Sequence, residues 1–533
     1  MFNQRELISQ VAVTAAQMRD IEARIFAAGM PVAALMEKVA ALITHRIEEI
    51  FKQGDNGSIY SAHPVVSPSP CPSVGILAGP GHNGGDALVV ARELYFRGYQ
   101  VKVYCPISKL KELTAQHLQY VRSLGIPCDD SIEKLQNCDF FVDGLFGFGL
   151  ERDITEPIAS AINQLNQWHK PVFSIDVPSG LHTDTGKVLG IAVRSTYTLC
   201  LGLWKLGLLQ DQALEYIGNP ELIDFDIQYS DVQAVLGKSP NIKRITSAIA
   251  LANLPLPRPQ VTHKYKEGHL LLVCGSRRYA GGAILTALGA RGSGVGMLSI
   301  AVPQSLVATM VSHLPEALII GCPETESGAI AKLQLPDNTD LNTFDAIACG
   351  PGITLDAVAI LEEILDNPKP LLLDADGLNI LAQMGTLQTL QKRQTSTILT
   401  PHPGEFKRLF PNIPDVNQNR VSAVLEAAKQ SGAIVLLKGS KTAIANPHGD
   451  VWINPQSTPA LARGGSGDVL TGLLGGLMAQ AVSRKLDLEK MVATSAWWHA
   501  QAGILAALER TELGVDAFTL TQYLIPVLAS FRT

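Results

Sequence analysis

Asp468 lies in Gly464-Gly465-Ser466-Gly467-Asp468, directly before an apolar run that begins at Val469. Glycine amides at the start of a helix form an anion hole. A carboxylate there is placed to take a proton from a substrate hydroxyl while the hole steadies phosphate charge. Its plainer role is a helix cap, but three glycines among the four preceding residues favour the chemical one. Lys438-Gly439-Ser440-Lys441-Thr442 follows an apolar strand and offers amides and ammonium groups to phosphate, or else forms a lysine-rich turn. His402, in Thr400-Pro401-His402-Pro403-Gly404-Glu405, follows another strand end. Gly350-Pro351-Gly352 and Asp374-Ala375-Asp376-Gly377 add two more. With Ala283 in the glycine turn after the first strand of this half, five loops converge on one sheet edge.

The first half carries three polar clusters of the same kind: Asn83 to Asp86, Asp143 with Gly144, and Asp176 to Gly180. Each sits just past a strand, where an open parallel sheet lines its ligand crevice. Taken singly they are ordinary loop caps; together on one edge they point to a site. Asn83, Asp143 and Ser179 offer oxygen and neither thiolate nor imidazole, a set suited to a hard cation. Only one of the three carries full charge, which favours a monovalent ion over Ca²⁺ or Mg²⁺. Lys205 is either a solvated lysine or a partner for an anion or a proton.

These residues need a particular scaffold. Thr14 and Gln17 have capping-box spacing, and Met18, Ile21, Ile25 and Ala28 mark one helical face. A second helix is expected from Ala33 to Phe51, then a Gly/Ser/Pro-rich loop from Gln53 to Ser73. From Val74 the pattern runs strand, glycine turn (79–86), helix (Ala87 to Arg97) and strand (Val101 to Tyr104), with later strands at Asp139–Val142 and Pro171–Ile175. Strands alternating with helices predict a parallel sheet covered on both faces. Residues 230–264 break the rhythm, and Leu254-Pro255-Leu256-Pro257-Arg258-Pro259 is expected to be an extended linker. A second alternating series starts at His269, with a helix from about Gly281. It closes on a short meander over Ala433–Leu437, Thr442–Ala445 and Val451–Ile453. The expectation is two α/β domains, 1–240 and 241–533.

The 533 residues exceed a single small module. Hydrophobic residues make up 46%, enough for sizeable cores, and a net charge of −6 argues against a general binder of nucleic acid or anionic membrane. None of the eight cysteines pairs at CxxC spacing, so neither a zinc site nor a redox dithiol is expected. The longest apolar stretch, Val469 to Val482, is too short to span a bilayer. A cytoplasmic, soluble homo-oligomeric enzyme acting on small molecules is the expectation.

In this order the motifs resemble one family, the bifunctional NAD(P)H-hydrate repair enzymes, over nearly the whole chain. Thr14-Ala15-Ala16-Gln17-Met18, Leu35-Met36-Glu37, Asn83-Gly84-Gly85-Asp86, Asp143-Gly144-Leu145-Phe146-Gly147 and Asp176-Val177-Pro178-Ser179-Gly180 are similar to the NAD(P)H-hydrate epimerase domain, Rossmann-like and three-layered α/β/α. Gly350-Pro351-Gly352, Asp374-Ala375-Asp376-Gly377-Leu378, Pro401-His402-Pro403-Gly404-Glu405, Lys438-Gly439 and Gly464 to Leu470 are similar to the ribokinase-like, ADP-dependent NAD(P)H-hydrate dehydratase domain. The resemblance implies epimerisation of the R and S hydrates of NADH and NADPH in the first half. It implies dehydration of the S hydrate in the second, with ADP, accompanied by Mg²⁺, giving AMP and phosphate.

By the same resemblance the hydrate meets His82, Asn83, Gly84, Gly85 and Asp86, then Gly147, Phe148, Gly149, Leu150, Glu151, Arg152 and Asp153, and Asp176. Potassium falls on Asn83, Asp143 and Ser179. In the second half the hydrate meets Ala283, Gly352, His402 and Asp468, and the nucleotide meets Lys438, Gly439, Ser440, Lys441, Thr442 and Gly467. Asp468 is the expected base of dehydration. Asp176 is the candidate for epimerisation, supported by Asp86 and Lys205. His82 stands where the family commonly has asparagine, and Ala87 replaces a usual glycine. Lys38 stands where asparagine is common, and Arg463 and Ser466 replace threonines. The rival reading is a ribokinase-like small-molecule kinase with a nucleotide-sensing first domain.

Overall fold

A computed structural model describes residues 4–53 and 71–531; most of the loop expected between Gln53 and Ser73 lies outside the described residues. The chain divides into two compact units, Met1–Pro240 and Asn241–Thr533.

In the first unit, helices α1 (Ala15–Ala27), α2 (Val32–Gln53) and α3 (His82–Phe96) accompany strands β1 (Ser73–Ala78), β2 (Gln100–Tyr104), β3 (Cys128–Asp129), β4 (Phe140–Gly144), β5 (Val172–Ile175), β6 (Tyr197–Leu201) and β7 (Asn219–Ile223). Thr14 caps α1 through the reciprocal bonds its spacing predicts, from Gln17 N to Thr14 Oγ1 at 3.2 Å and from Thr14 N to Gln17 Oε1 at 3.0 Å. The sheet order is β3-β2-β1-β4-β5-β6-β7, parallel throughout. Alternate residues serve opposite layers: Val74, Ile76 and Ala78 join the core under α2 and α3, while Leu77 joins Ile158, Ile162 and Leu165 on the other face. The chain reverses direction across the sheet between β1 and β4, which opens a crevice at their carboxyl ends. A two-residue parallel pairing of Ala12–Val13 with Trp204–Lys205 sets Lys205 beside the start of α1.

Helix α3 begins five residues before the expected Ala87. The run Asn83-Gly84-Gly85-Asp86 is thus its first turn and not a loop. The glycines serve close approach: a Cβ at Gly84 would overlap the Gly79 carbonyl, and one at Gly85 would press on the Met36 side chain.

The second unit contains β8 (Ile242–Arg244), β9 (His269–Val273), β10 (Met297–Pro303), β11 (Leu318–Cys322), β12 (Ala346–Cys349), β13 (Leu371–Leu373), β14 (Thr397–Leu399), β15 (Ile434–Leu437), β16 (Ala443–Ala445) and β17 (Val451–Ile453). Its sheet runs β8-β17-β16-β15-β14-β13-β12-β9-β10-β11. The pairs β15/β16 and β16/β17 are antiparallel, as a meander requires, and the rest are parallel. Helices α4 (Ala280–Gly292), α5 (Pro403–Leu409), α6 (Ser466–Arg484) and α7 (Leu488–Arg510) carry or support the site. Helix α6 is apolar on nearly every face from Val469 to Ala481 and is buried accordingly. It meets α4 backbone to backbone, since a Cβ at Gly472 would overlap the Thr286 carbonyl and one at Gly289 the Val469 carbonyl.

The proline-rich segment differs from expectation. Pro255 O accepts from Arg484 Nη1 at 2.6 Å, and Arg258 lies 3.6 Å from Glu267. Upstream of it, β8 already pairs with β17. The segment is therefore part of the second unit's surface and not a tether. Proline content reports extended backbone but not what packs against it. In both units, buried cysteines sit within or close to strands. Burial pushes the Cys200 thiol up to about 11, that of Cys349 up to about 12, and that of Cys274 higher still.

Candidate active sites

A cavity of about 930 Å³ opens in the first unit where α1, α3 and the loops after β1, β4 and β5 meet. Its lining includes His82, Asn83, Asp86, Gly147, Phe148, Gly149, Leu150, Glu151, Arg152 and Asp176, all named from the sequence. Gly84 and Gly85 are buried in the first turn of α3 and shape the wall from behind. Asp153 is exposed and is not part of the lining.

Asp176 adopts φ +70°, a left-handed conformation that L residues rarely take. The turn points its carboxylate at three donors. Oδ2 accepts from Phe148 N at 3.1 Å, Oδ1 accepts from Leu201 N at 3.2 Å, and Lys205 Nζ lies 2.5 Å from Oδ1. Lys205 is fully buried and also donates to Leu201 O at 2.5 Å. Burial pulls its pKa down, but the Asp176 carboxylate, with Glu22, outweighs that and raises it, so the ammonium stays charged. Lys205 is thus an ion-pair partner and not a solvated lysine.

Two more carboxyls line this cavity. Burial raises the Glu22 carboxyl to about 7, with Lys205 pulling it down and Asp176 pushing it up. Burial also raises Asp86 well above the carboxylate range, reinforced by the charges of Asp176 and Glu22. Glu22 escaped sequence reasoning, because a single glutamate on the polar side of an amphipathic helix gives no local signal.

The three proposed cation ligands are partly brought together. Ser179 Oγ donates to Asp143 Oδ1 at 2.6 Å, and Ser179 N donates to Oδ2 at 2.9 Å. Asp143 also accepts from Ser174 Oγ at 2.8 Å and Leu145 N at 3.2 Å. Burial raises its pKa, and these four bonds hold it back. Asn83 reaches toward the neighbouring loop: a Cβ on Gly147 would stand 3.0 Å from Asn83 Oδ1. Its Nδ2 is buried without a hydrogen-bond partner among the described residues. Asn83 Oδ1, the Asp143 carboxylate and Ser179 Oγ are oxygens suited to a hard cation, which would replace part of the internal bonding of Asp143; the unsatisfied Asn83 Nδ2 is a donor and calls for an acceptor instead.

In the second unit Asp468 occupies the first turn of α6, capped by Gly465 at φ +89°. Burial raises its carboxyl to about 7, Asp374 and Asp376 add to this, and Lys438 opposes it. Asp374 is buried and anchors the cluster. Its Oδ1 accepts from Lys438 Nζ at 2.7 Å and its Oδ2 from Thr471 Oγ1 at 2.6 Å. Glu405 Oε2 lies 3.9 Å from the same ammonium. Gly467 lies close to this ammonium, a Cβ built on it standing 3.5 Å from Lys438 Nζ, so lysine and helix N-terminus are in contact. The loop before α6 is held from below by His499, whose Nε2 lies 2.9 Å from Ser466 O. Burial lowers this imidazole to about 4, so it is neutral and donates.

The other predicted positions vary. Gly352, at φ +67°, lies against Tyr279, and Ala283 is buried with its side chain under Gly275. His402 is exposed and caps α5, accepting at Nδ1 from Gly404 N at 3.0 Å while Glu405 Oε2 accepts from His402 N at 2.8 Å. Ser440 is exposed, and Thr442 Oγ1 donates to Gly439 O at 3.1 Å. Lys441 is buried and donates to Pro455 O, which turns it away from the lysine cluster expected for phosphate. Arg420, unforeseen, is buried under Gly439 and donates to Lys438 O at 3.1 Å.

Each α/β unit thus carries desolvated carboxyls and a paired lysine at the carboxyl edge of its sheet, the arrangement of an α/β enzyme with one candidate site in each unit. A family profile described as YjeF-related protein N-terminus matches residues 32–207, and one described as NAD(P)H-hydrate dehydratase matches 270–526. The bifunctional NAD(P)H-hydrate repair enzyme of Synechocystis sp. is 52% identical over 518 residues, covering 97% of this chain and 94% of the relative. That of Thermosynechococcus vestitus is 50% identical and covers 97% of each chain. The crystal structure of the ADP/ATP-dependent NAD(P)H-hydrate dehydratase from Bacillus subtilis, co-crystallised with ATP/Mg²⁺, aligns at 32% identity over 54% of this chain and 98% of that one, with a TM-score of 0.46. The chain belongs to the family of bifunctional NAD(P)H-hydrate repair enzymes.

Proposed function

We propose that the second unit returns the S hydrate of NADH or NADPH to the dinucleotide at the expense of ADP, and that the first unit interconverts the R and S hydrates. The observation that carries this reading is Asp468, a carboxyl with pKa about 7 in the first turn of α6 beside Lys438. Direct loss of hydroxide from C6 is slow, so the oxygen needs activation. Asp468 takes the proton of the C6 hydroxyl. The oxygen attacks the terminal phosphate of ADP and AMP departs. Phosphate then leaves C6 as a proton leaves C5, and the ring double bond re-forms. The amides at the α6 N-terminus and the Lys438 ammonium stabilise charge on the transferred phosphoryl group. Ser440, Gly439 and Thr442 border the nucleotide, and Mg²⁺ arrives with its phosphates. Gly352, Ala283 and His402 border the hydrate.

In the first unit the hydrate occupies the cavity between Asp86, the 147–152 loop and Asp176. Potassium is held by Asn83, Asp143 and Ser179. The test is incubation of mixed hydrate epimers with ADP, followed at 340 nm with AMP and phosphate measured. Complete recovery of absorbance with stoichiometric phosphate is expected. Accumulation of a stable phosphorylated product would instead favour the kinase.

A further inference from the structure

The first unit's cavity holds three carboxyls, Glu22 on α1, Asp86 on α3 and Asp176 after β5, around one buried ammonium, Lys205. That ammonium is committed to Asp176 at 2.5 Å. Asp176 also accepts two backbone hydrogen bonds, so it is held in place and charge-balanced. Glu22 and Asp86 accept no hydrogen bond from a described residue, although both line the cavity. Beyond Lys205, the cation that offsets Glu22 is Arg19. Glu22 is only partly offset by Lys205 and Arg19, and Asp86 is raised by burial and by the charges of Asp176 and Glu22, so ionising both in one low-dielectric cavity is costly.

We propose that Glu22 and Asp86 are the acid–base pair of epimerisation, and that Asp176 with Lys205 is a positioning pair. This deepens the epimerase reading and rests on it. One carboxyl gives its proton to the C6 hydroxyl. The C6–O bond breaks with its electrons on oxygen, water leaves, and the N1 lone pair forms the N1=C6 iminium bond. Water adds to the opposite face of C6, and the second carboxyl takes the proton that this water loses. Each turnover moves one proton between the carboxyls, and exchange with solvent resets them. No oxidant or reductant is needed. The two groups come from different helices, α1 and α3, and both line the cavity.

The experiment uses the full-length chain with purified R hydrate, ADP and saturating S-epimer controls. Glu22→Gln and Asp86→Asn are each expected to lower the epimerisation kcat by about 100-fold or more, with KM nearly unchanged, while pure S hydrate is dehydrated at the normal rate. In the unaltered protein the rate should follow a bell-shaped pH profile, since one carboxyl must hold the proton and the other must lack it. His82, Lys111, Glu151 and Arg152 also face this cavity, so the diagnostic result is loss of one limb of the bell in each variant. Interconversion by the unaltered protein that survives within threefold in either variant, or a bell unchanged by both, overturns the pair. Failure of the unaltered protein to interconvert the epimers overturns the epimerase reading, and the pair with it.

Discussion

Asp468 combines burial, two neighbouring carboxyls and one opposing ammonium, and this sets when it can act. As a base it must be ionised. Below about pH 7 the dehydration kcat/KM should therefore climb with pH, and above it should level off. After burial, the charge of Asp374 is the next cause of the high value, so Asp374→Asn should move the climb to lower pH. A profile unmoved by that change would remove Asp374 from the electrostatics of the base. Asp468→Asn should lower dehydration by about 10²-fold or more while ADP binding by calorimetry persists. In the first unit, Asp143→Ala should weaken potassium dependence and epimerisation and leave dehydration of pure S hydrate unchanged, read by titrating KCl against each activity. The loops bearing Asp468, Asp143 and Asp176 were legible in the sequence because glycines and acids cluster just past apolar strands. The Asp374–Lys438 pair was not, since its partners lie 64 residues apart and meet only through the order of β13, β14 and β15.

At the scale of elements, glycine is where local pattern and tertiary need diverge. The runs at 79–86 and 464–467 both look like phosphate turns. Structurally the first is largely a device for close packing of α3, and the second is a helix start. Helix α6 shows the same economy further along, at Gly472 against Thr286 of α4. Gly472→Ala must push these helices apart, with a cost of about 1–3 kcal/mol by analogy with overpacked cores. Thermal unfolding of the full chain should show the second unit losing stability. Because Asp468 rides on the same helix one turn earlier, dehydration should fall more than epimerisation. Equal losses in both activities would show that the disturbance is not confined to α6. Strand periodicity placed most central strands within a residue or two, but β3, β6, β7, β8 and β11 went unnoticed. These edge and near-edge strands carry mixed burial, so their apolar signal is diluted whatever their length.

For the whole molecule, the division at Pro240 has a practical reading. A fragment starting at residue 255 would lose β8 and the helix Ser247–Ala252, and would leave β17 as an unpaired edge next to β16. A fragment of 241–533 keeps both, and should dehydrate the S hydrate while leaving the R hydrate to slow spontaneous conversion. Rapid consumption of both epimers by it would show that the labour is not divided this way. The buried thiols give each unit its own reporter. Cys200 lies in the sheet of the first unit, and Cys274 and Cys349 lie in that of the second. A thiol held at or above about 11 carries almost no thiolate at neutral pH. It is also shut away from reagent. Such a cysteine becomes alkylated only when its own sheet opens. A brief pulse of iodoacetamide during gentle heating, read peptide by peptide, would therefore timestamp the melting of each half separately, with no substitution in the chain.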